Sequence, residues 1–373
     1  MVDLSIIVPL YIGGKYIQNI IQMVKKCHCE IYNINIELIF VNDYPDEKIS
    51  ISNKVEDFEI VLLSNKTNIG IHKTRIEGLK AAQGNYILFL DQDDYIFPDY
   101  IKKQFDCISD ADAVVCRLLN GSVHHYTDSF IFEKVVTKEF MLNNWCSIVS
   151  PGQVILKKTS IPDLWKTYAL NVSGADDYFL WLLMWGYGRK VALNNETLFE
   201  HKITGINTSL NTNMMMDSEQ EMVNVLINNN IFNDEDETAL KKLCEKLRKI
   251  HIKQLDNANY SYLIYKNLIN INQDIIRHKL YGKTAIYGAG EIGKAFYDCI
   301  KDCGIDLCFI DRNEKYINSD IPIYTLKKAP KDIDIVIVAV NGELHVIKEN
   351  IEIELPKSKT ISIKQFLDEI IVN

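Results

Sequence analysis

The stretch Tyr86-Ile87-Leu88-Phe89-Leu90-Asp91-Gln92-Asp93-Asp94 is an apolar run that ends in three carboxylates within four residues. Carboxylates so close repel one another unless a cation sits among them, and their hard oxygens suit Mg2+ or Mn2+ that also holds a phosphate. The alternative is a solvated acidic turn, a common use of aspartate. A second constellation, Gly288-x-Gly290-x-x-Gly293 with Asp311 18 residues beyond the last glycine, has the form of a dinucleotide-binding loop. There the glycines would allow a tight turn and close approach of the backbone to a pyrophosphate, and the acid would meet a ribose hydroxyl. Cys27-His28-Cys29 lacks a second ligand pair at zinc-site spacing, so it carries no metal reading.

Both constellations need a strand to aim them. Tyr86 to Leu90 reads as a buried strand, and Leu4–Val8, Glu37–Val41 and Ile60–Leu63 read as others, alternating with helical spacing over Lys15–Cys27 and Ile69–Ala82. Such alternation implies a parallel sheet covered by helices, class α/β. The strands end in Pro9-Leu10-Tyr11, Asn42-Asp43, Ser64-Asn65 and the aspartates, so one rim gathers the polar residues. That rim is where such a sheet takes a nucleotide. Further on, Asp176–Trp185 reads as a helix with aromatic and leucine residues all round. It is therefore buried, and Trp181 and Trp185 belong to the core rather than to a sugar platform. Residues 214–279 turn helical, with Leu240, Leu243, Leu247 and Ile250 in a stripe, and a second α/β unit begins at Lys283. Its strands are Thr284–Tyr287, Leu307–Ile310 and Ile333–Val340. The expected domains are 1–212, a helical segment 213–281 and a small Rossmann-like domain 282–373.

A chain of 373 residues exceeds what one core usually supports. Hydrophobic content of 47% and charged content of 24% are ordinary for a globular protein. The net charge of −9 argues against a nucleic-acid partner. Nine irregularly spaced cysteines read as reduced thiols. No apolar run approaches the roughly 20 residues of a membrane span, and Met1 leads straight into a strand. The expectation is a cytoplasmic protein, with the inner face of the membrane as a compatible setting.

Taken together, Ser5-Ile6-Ile7-Val8-Pro9-Leu10-Tyr11, Val41-Asn42-Asp43, Asn68-Ile69-Gly70 with Thr74-Arg75, and Gly84 through Asp94 resemble the family 2 glycosyltransferases, whose nucleotide-sugar-binding architecture is called GT-A. The resemblance covers residues 3–115 well and 145–210 weakly. It implies that Pro9 and Tyr11 line the base, that Asp43 accepts a hydrogen bond from it, and that Arg75 reaches the base or diphosphate. Asp91 and Asp93 would face the sugar and ribose, while Asp94, with Asp93 and His201 beside it, would hold a metal bridging the phosphates. Ser173-Gly174-Ala175-Asp176-Asp177 resembles the acidic pair of the family's acceptor half, which makes Asp177 the candidate base and Asp176 its neighbour. Ser173 followed three residues later by Asp176 also has the form of a helix capping box. Phe199-Glu200-His201-Lys202 and Gly205-Ile206-Asn207-Thr208-Ser209 resemble the family's end-of-domain segment. The chain departs from the pattern at Ile12, where the family has Asn, and at Tyr44-Pro45, where it has Gly-Ser.

The activity so implied is metal-dependent transfer, with Mn2+ or Mg2+, of a sugar from a nucleoside diphosphate, UDP foremost, to a hydroxyl of a glycan or lipid-linked acceptor. Family resemblance adds inversion at the anomeric carbon and a setting in bacterial surface polysaccharide biosynthesis, such as capsule. The competing class is an NAD-linked oxidoreductase or sugar-nucleotide-modifying enzyme acting through the C-terminal unit, with NAD or another nucleotide at the Gly288 loop. That class requires a catalytic tyrosine and lysine, or a histidine, and Lys294, Tyr297 and His345 sit in no such motif. A degenerate scaffold is opposed by the presence of all of Asp91, Asp93, Asp94 and Asp177. The helical segment or the C-terminal unit could supply a homodimer interface.

Overall fold

The computed structural model describes residues 2–371 apart from 30–33, 52–53, 56–57, 121–122, 126–128, 203, 205–210, 270–272, 313–320 and 343. The chain divides into two compact units, Met1–His251 and Ile252–Asn373.

In the first unit the strands are β1 (Leu4–Leu10), β2 (Ile36–Asn42), β3 (Lys54–Val55), β4 (Phe58–Ser64), β5 (Tyr86–Phe89), β6 (Tyr95–Ile96), β7 (Ala113–Asn120), β8 (Val123–His125), β9 (Val154–Lys157) and β10 (Val191–His201). They form one mixed sheet in the order β3-β4-β2-β1-β5-β9-β7-β10-β6, with β8 paired to β7. β4, β2, β1 and β5 run parallel, and β9 reverses direction beside β5. This is the α/β class that the sequence led us to expect. The helices are α1 (Ile17–Cys29), α2 (Ile71–Ala81), α3 (Tyr100–Ile108), α4 (Ser129–Val135), α5 (Lys138–Asn143), α6 (Asp163–Thr167), α7 (Asp176–Gly186), α8 (Thr212–Asn228) and α9 (Asp234–Ile269), whose last part belongs to the second unit.

The period of two along a strand sorts its side chains into two cores. From β1, Leu4, Ile6, Val8 and Leu10 join a cluster with α1 and α3, whereas Ile7 joins a cluster with α2, α7 and α8. Both faces of β1 and β2 are covered, which explains their unbroken apolar runs. From α9, Leu240, Leu243 and Leu247 are buried in the second of these clusters, while Ile250, the fourth member of the expected stripe, is exposed. Helix α7 buries Tyr178 through Met184, with Trp181 in the core as expected.

One polar device fixes the strand that carries the aspartates. Glu37 is fully buried on β2, and its Oε1 accepts from Ser5 Oγ at 2.6 Å, from the Gln83 amide at 2.6 Å and from the Gly84 amide at 3.3 Å. A Cβ on Gly84 would lie 2.6 Å from the Ser5 nitrogen, so only glycine lets the turn before β5 come this close to β1.

In the second unit the last part of α9 and α10 (Gln273–Lys279) precede a parallel sheet of β11 (Lys283–Tyr287), β12 (Asp306–Ile310), β13 (Ile323–Tyr324), β14 (Ile335–Val338) and β15 (Lys359–Ser362). Its order is β13-β12-β11-β14-β15, with α11 (Glu291–Ile300), α12 (Leu344–Glu354) and α13 (Ile363–Ile371) as connections and cover. No helix among the described residues is long and apolar enough to cross a membrane.

Candidate active site

The rim forms because each strand of the parallel set hands its chain to a polar segment held by its neighbour. The Asp43 amide donates to the Leu10 carbonyl at 2.8 Å, and the Asn65 amide to the Asn42 carbonyl at 2.9 Å. Asp43 itself is buried. Its Oδ1 accepts from Asn65 Nδ2 and the Ile69 amide, and its Oδ2 from the Gly70 amide, each at 2.9 Å. The carboxylate thus shapes the loop that starts α2. Pro9 is buried inside β1, whereas Tyr11 is exposed beyond its end. Gln92 clamps the Tyr11 backbone from both sides, accepting from its amide at 3.0 Å and donating to its carbonyl at 3.1 Å. The Tyr11 ring meets Tyr44 edge-on at 5.4 Å. Ile12, next in line, has φ 49, a left-handed conformation that a β-branched residue adopts only under strain.

Arg75, on α2, is 4% exposed and joins the two acidic motifs. Its Nη2 donates to Asp91 Oδ1 and its Nη1 to Asp176 Oδ2, both at 2.5 Å. Burial alone would lower its pKa, but Asp176 and Asp91 together raise it, so the guanidinium stays charged. The fork of the guanidinium is therefore engaged by protein carboxylates rather than turned to the rim.

Asp93 and Asp94 follow. Asp94 Oδ2 accepts from Ser150 Oγ at 2.8 Å, and its Oδ1 accepts from His201 Nδ1 at 2.9 Å and the Lys202 amide at 3.1 Å. Antiparallel pairing of β6 with β10, Glu200 opposite Tyr95, brings His201 to this place. Thr204 Oγ1 donates to Asp93 Oδ2 at 3.3 Å. Burial, and then the charge of Asp91, raises the pKa of Asp93. Burial likewise raises that of Asp94, against the hydrogen bond from His201. For His201 burial works downward, but its bond to Asp94 and the charges of Asp94, Asp91 and Asp93 outweigh it and raise the pKa. Among the described residues no three His, Cys, Asp or Glu side chains stand in ligand geometry. A Mg2+-type ion shared with a diphosphate needs only one or two protein carboxylates, and Asp93 and Asp94, both raised by burial and by the charge of Asp91, supply that number.

Asp177 sits one residue into α7. Its Oδ1 accepts the Tyr178 amide at 2.6 Å. Burial first, then the charge of Asp176, push its carboxyl up to about 7, with Arg75 opposing. The capping box expected over Ser173–Asp176 does not form. The helix N-cap is Ala175, without a side-chain bond, because Gly174 turns the chain at φ 137 and leaves Ser173 outside the first turn. Instead Ser150 and Gln153 make a capping box around Pro151-Gly152, a pattern of Ser and Gln three apart that is legible in the sequence.

Sequence reasoning passed over two residues that support this cluster. Trp165 is fully buried, and its Nε1 donates to the Asp176 carbonyl at 2.9 Å. His72 stacks on Trp165 with ring centroids 4.5 Å apart, its Nε2 at 3.1 Å from the Trp165 carbonyl and its Nδ1 accepting the Leu170 amide at 3.1 Å. No periodicity marks such residues. Gly205–Ser209, which resemble the family's end-of-domain segment, lie outside the described residues.

In the second unit the Gly288–Gly293 turn joins β11 to α11. Gly288 has φ 106, and a Cβ on Gly293 would lie 1.9 Å from the Gly288 carbonyl oxygen. Asp311 Oδ2 accepts the Ala289 amide at 2.7 Å, so the acid braces the loop.

Parts of the chain are similar to known proteins. An uncharacterized glycosyltransferase of Haemophilus influenzae is 39% identical over 106 residues, 28% of this chain and 41% of that protein. The UDP-Glc:alpha-D-GlcNAc-diphosphoundecaprenol beta-1,3-glucosyltransferase WfaP of Escherichia coli is 28% identical over 167 residues, 43% of this chain and 63% of that protein. The chain therefore spans less than two thirds of the length of either relative. Among solved structures, S. aureus TarS 1–349 in complex with UDP-GlcNAc is similar over 65% of this chain and 71% of that one, with 16% identity and a TM-score of 0.49. Residues 5–165, which include Asp43, Arg75 and the Asp91–Asp94 rim, match the model of glycosyl transferase family 2.

Proposed function

We propose that this protein is a metal-assisted glycosyltransferase that moves a sugar from a nucleoside diphosphate, UDP foremost, to a hydroxyl of a glycan or lipid-linked acceptor, with inversion, in bacterial surface polysaccharide biosynthesis. The observation that carries the reading is the convergence of Asp91, Asp93, Asp94 and His201 with the Asp176-Asp177 pair, tied together by Arg75 on a family 2 domain. The name of the Escherichia coli relative, with its UDP-glucose donor and lipid-diphosphate acceptor, supports the choice of substrate class.

In this reading Asp177 takes the proton from the acceptor hydroxyl as that oxygen attacks the anomeric carbon, and the bond to the diphosphate breaks with its electrons leaving on phosphate. A carboxyl near pH 7 is well matched to that task. Asp93 and Asp94, with His201 beside them, would hold the cation, whose role is to neutralise charge on the leaving diphosphate. Pro9, Tyr11 and Asp43 line the place of the base, and Asp91 faces the sugar. The C-terminal unit, 282–373, is read as Rossmann-like, with a regulatory, nucleotide-binding or assembly role.

Calorimetric titration of UDP and GDP, with and without Mn2+, into the wild type and Asp94→Asn tests this. The expected result is Mn2+-dependent UDP binding that weakens at least tenfold in a variant whose thermal unfolding is unchanged. UDP binding indifferent to Mn2+ and to the substitution would overturn it, as would binding of NAD alone.

A further inference from the structure

We infer that Ser218 and Glu221, on α8, are positioning residues that set the Asp177 carboxylate at the end of its loop. The inference rests on the glycosyl-transfer reading above, with Asp177 as base. Helix α8 begins beyond the 5–165 family match, so nothing in that match assigns it a role.

Residues 168–175 belong to no strand, and their backbone groups need partners from elsewhere. Helix α8 provides partners, from one face, for the Asn171, Val172 and Ala175 amides and the Val172 carbonyl. The Glu221 carboxylate accepts from the Asn171 amide at 2.9 Å, from Asn171 Nδ2 at 2.6 Å, from the Val172 amide at 3.3 Å and from Tyr168 Oη at 3.1 Å. Ser218 is fully buried, accepts from the Ala175 amide at 3.0 Å and donates to the Val172 carbonyl at 2.8 Å. Met215 completes the face. Its Sδ lies 2.6 Å from where a Cβ on Gly174 would stand, at the left-handed turn just before the helix. Met215, Ser218 and Glu221 recur every three residues, the spacing that aligns side chains along one helical face.

The segment so clamped ends at Ala175, the N-cap of α7, and the catalytic carboxylate is two residues further on. The register and tilt of the first turn of α7 follow from where the Ala175 amide is held. Met222, Val223 and Leu226 bury the helix in the core of the unit, so the clamp has a rigid base. Among the described residues Ser218 and Glu221 hydrogen-bond to none of Tyr11, Asp43, Arg75, Asp91, Asp93 and Asp94, which separates the positioning of the base from the binding of the nucleotide.

The test uses the full chain with Ser218→Ala and Glu221→Gln. UDP binding in Mn2+ is measured by calorimetry. Release of UDP or GDP from UDP-glucose, UDP-N-acetylglucosamine and GDP-mannose in water, where water takes the acceptor's place, gives kcat and KM. Amide exchange is followed over residues 171–178. The expected result is faster exchange there, UDP affinity and donor KM within about twofold of wild type, and kcat lower by roughly tenfold to a hundredfold, the scale set by small misplacements of reacting groups. Wild-type kcat in both variants, beside an inactive Asp177→Asn, would overturn the positioning role alone. Affinity, kcat and thermal stability falling together would also overturn it, as the mark of a merely structural contact. Absence of nucleotide binding and turnover in the wild type would overturn the transfer reading and this inference with it.

Discussion

Replacing Arg75 by methionine removes a guanidinium that is 4% exposed and leaves the carboxylates of Asp91 and Asp176 without their partner. Removing one member of a buried pair costs about 3–5 kcal/mol. The Asp176 side chain, 4% exposed, falls in that range, whereas Asp91, at 29%, is partly solvated and adds about 1 kcal/mol or less. A loss of about 4 kcal/mol follows, and at about 2–4 °C per kcal/mol for a unit of this size the midpoint drops by roughly 8–16 °C. Tryptophan fluorescence isolates the transition, because Trp145, Trp165, Trp181 and Trp185 all lie in the first unit. The loss also depends on pH. Arg75 holds the Asp177 carboxyl down against burial, so its removal pushes that carboxyl above about 7. A carboxyl raised in the folded state binds protons the unfolded state has released, so stability declines as pH rises toward the folded value. In the variant this decline extends to higher pH, and its deficit against wild type is larger at pH 8.5 than at pH 6. Arg75→Lys keeps the charge but not the fork, and falls between the two. A deficit below about 1 kcal/mol, or one equal at both pH values, would refute the reasoning.

Burial lowers the pKa of His72 despite the nearby Asp176 charge, so the unfolded chain binds the proton first. Stability from this site is complete above about 6.5 and is lost as pH falls below it; His72→Gln should flatten the wild-type slope between pH 5 and 7 in fluorescence-monitored urea unfolding. Ile12 is exposed at φ 49, so Ile12→Asn relieves strain and should raise stability by about 0.5–1 kcal/mol in the same assay. Gly293→Ala forces a Cβ to within 1.9 Å of a carbonyl oxygen, and should lower the calorimetric transition of the second unit by about 2–3 kcal/mol while the fluorescence transition stays in place.

Strands β1, β2 and β5 and helix α2 were legible because their period and their polar ends are local properties of the chain. The acidic rim was legible for the same reason, since an apolar run that stops in carboxylates can hardly be anything but the end of a buried strand. What the sequence hid is pairing at a distance. Arg75 meets Asp176 across 101 residues, and nothing in either segment says that α2 and α7 share a wall. Helix α8 was legible as a helix, yet the partner of its Met215, Ser218 and Glu221 face is an irregular loop without periodic pattern. The Ser173–Asp176 box failed for a related reason: its spacing is right, but the left-handed Gly174 moves the start of the helix past the serine.

The two adjacent acids on α7 show how one charge divides their roles. Asp176 is 3% exposed and takes an Arg75 nitrogen at 2.5 Å, while its own carbonyl is fixed by Trp165. Paired in this way, Asp176 acts on its neighbour chiefly as a fixed negative charge. Among the described residues Asp177 has no such partner at hydrogen-bond distance; it has the Tyr178 amide, the repulsion of Asp176 and a more distant Arg75. Environments that push adjacent titratable groups apart are what general acid–base chemistry requires. The asymmetry of one ion pair thus leaves burial and the charge of Asp176 to raise the Asp177 carboxyl, with Arg75 opposing from farther off.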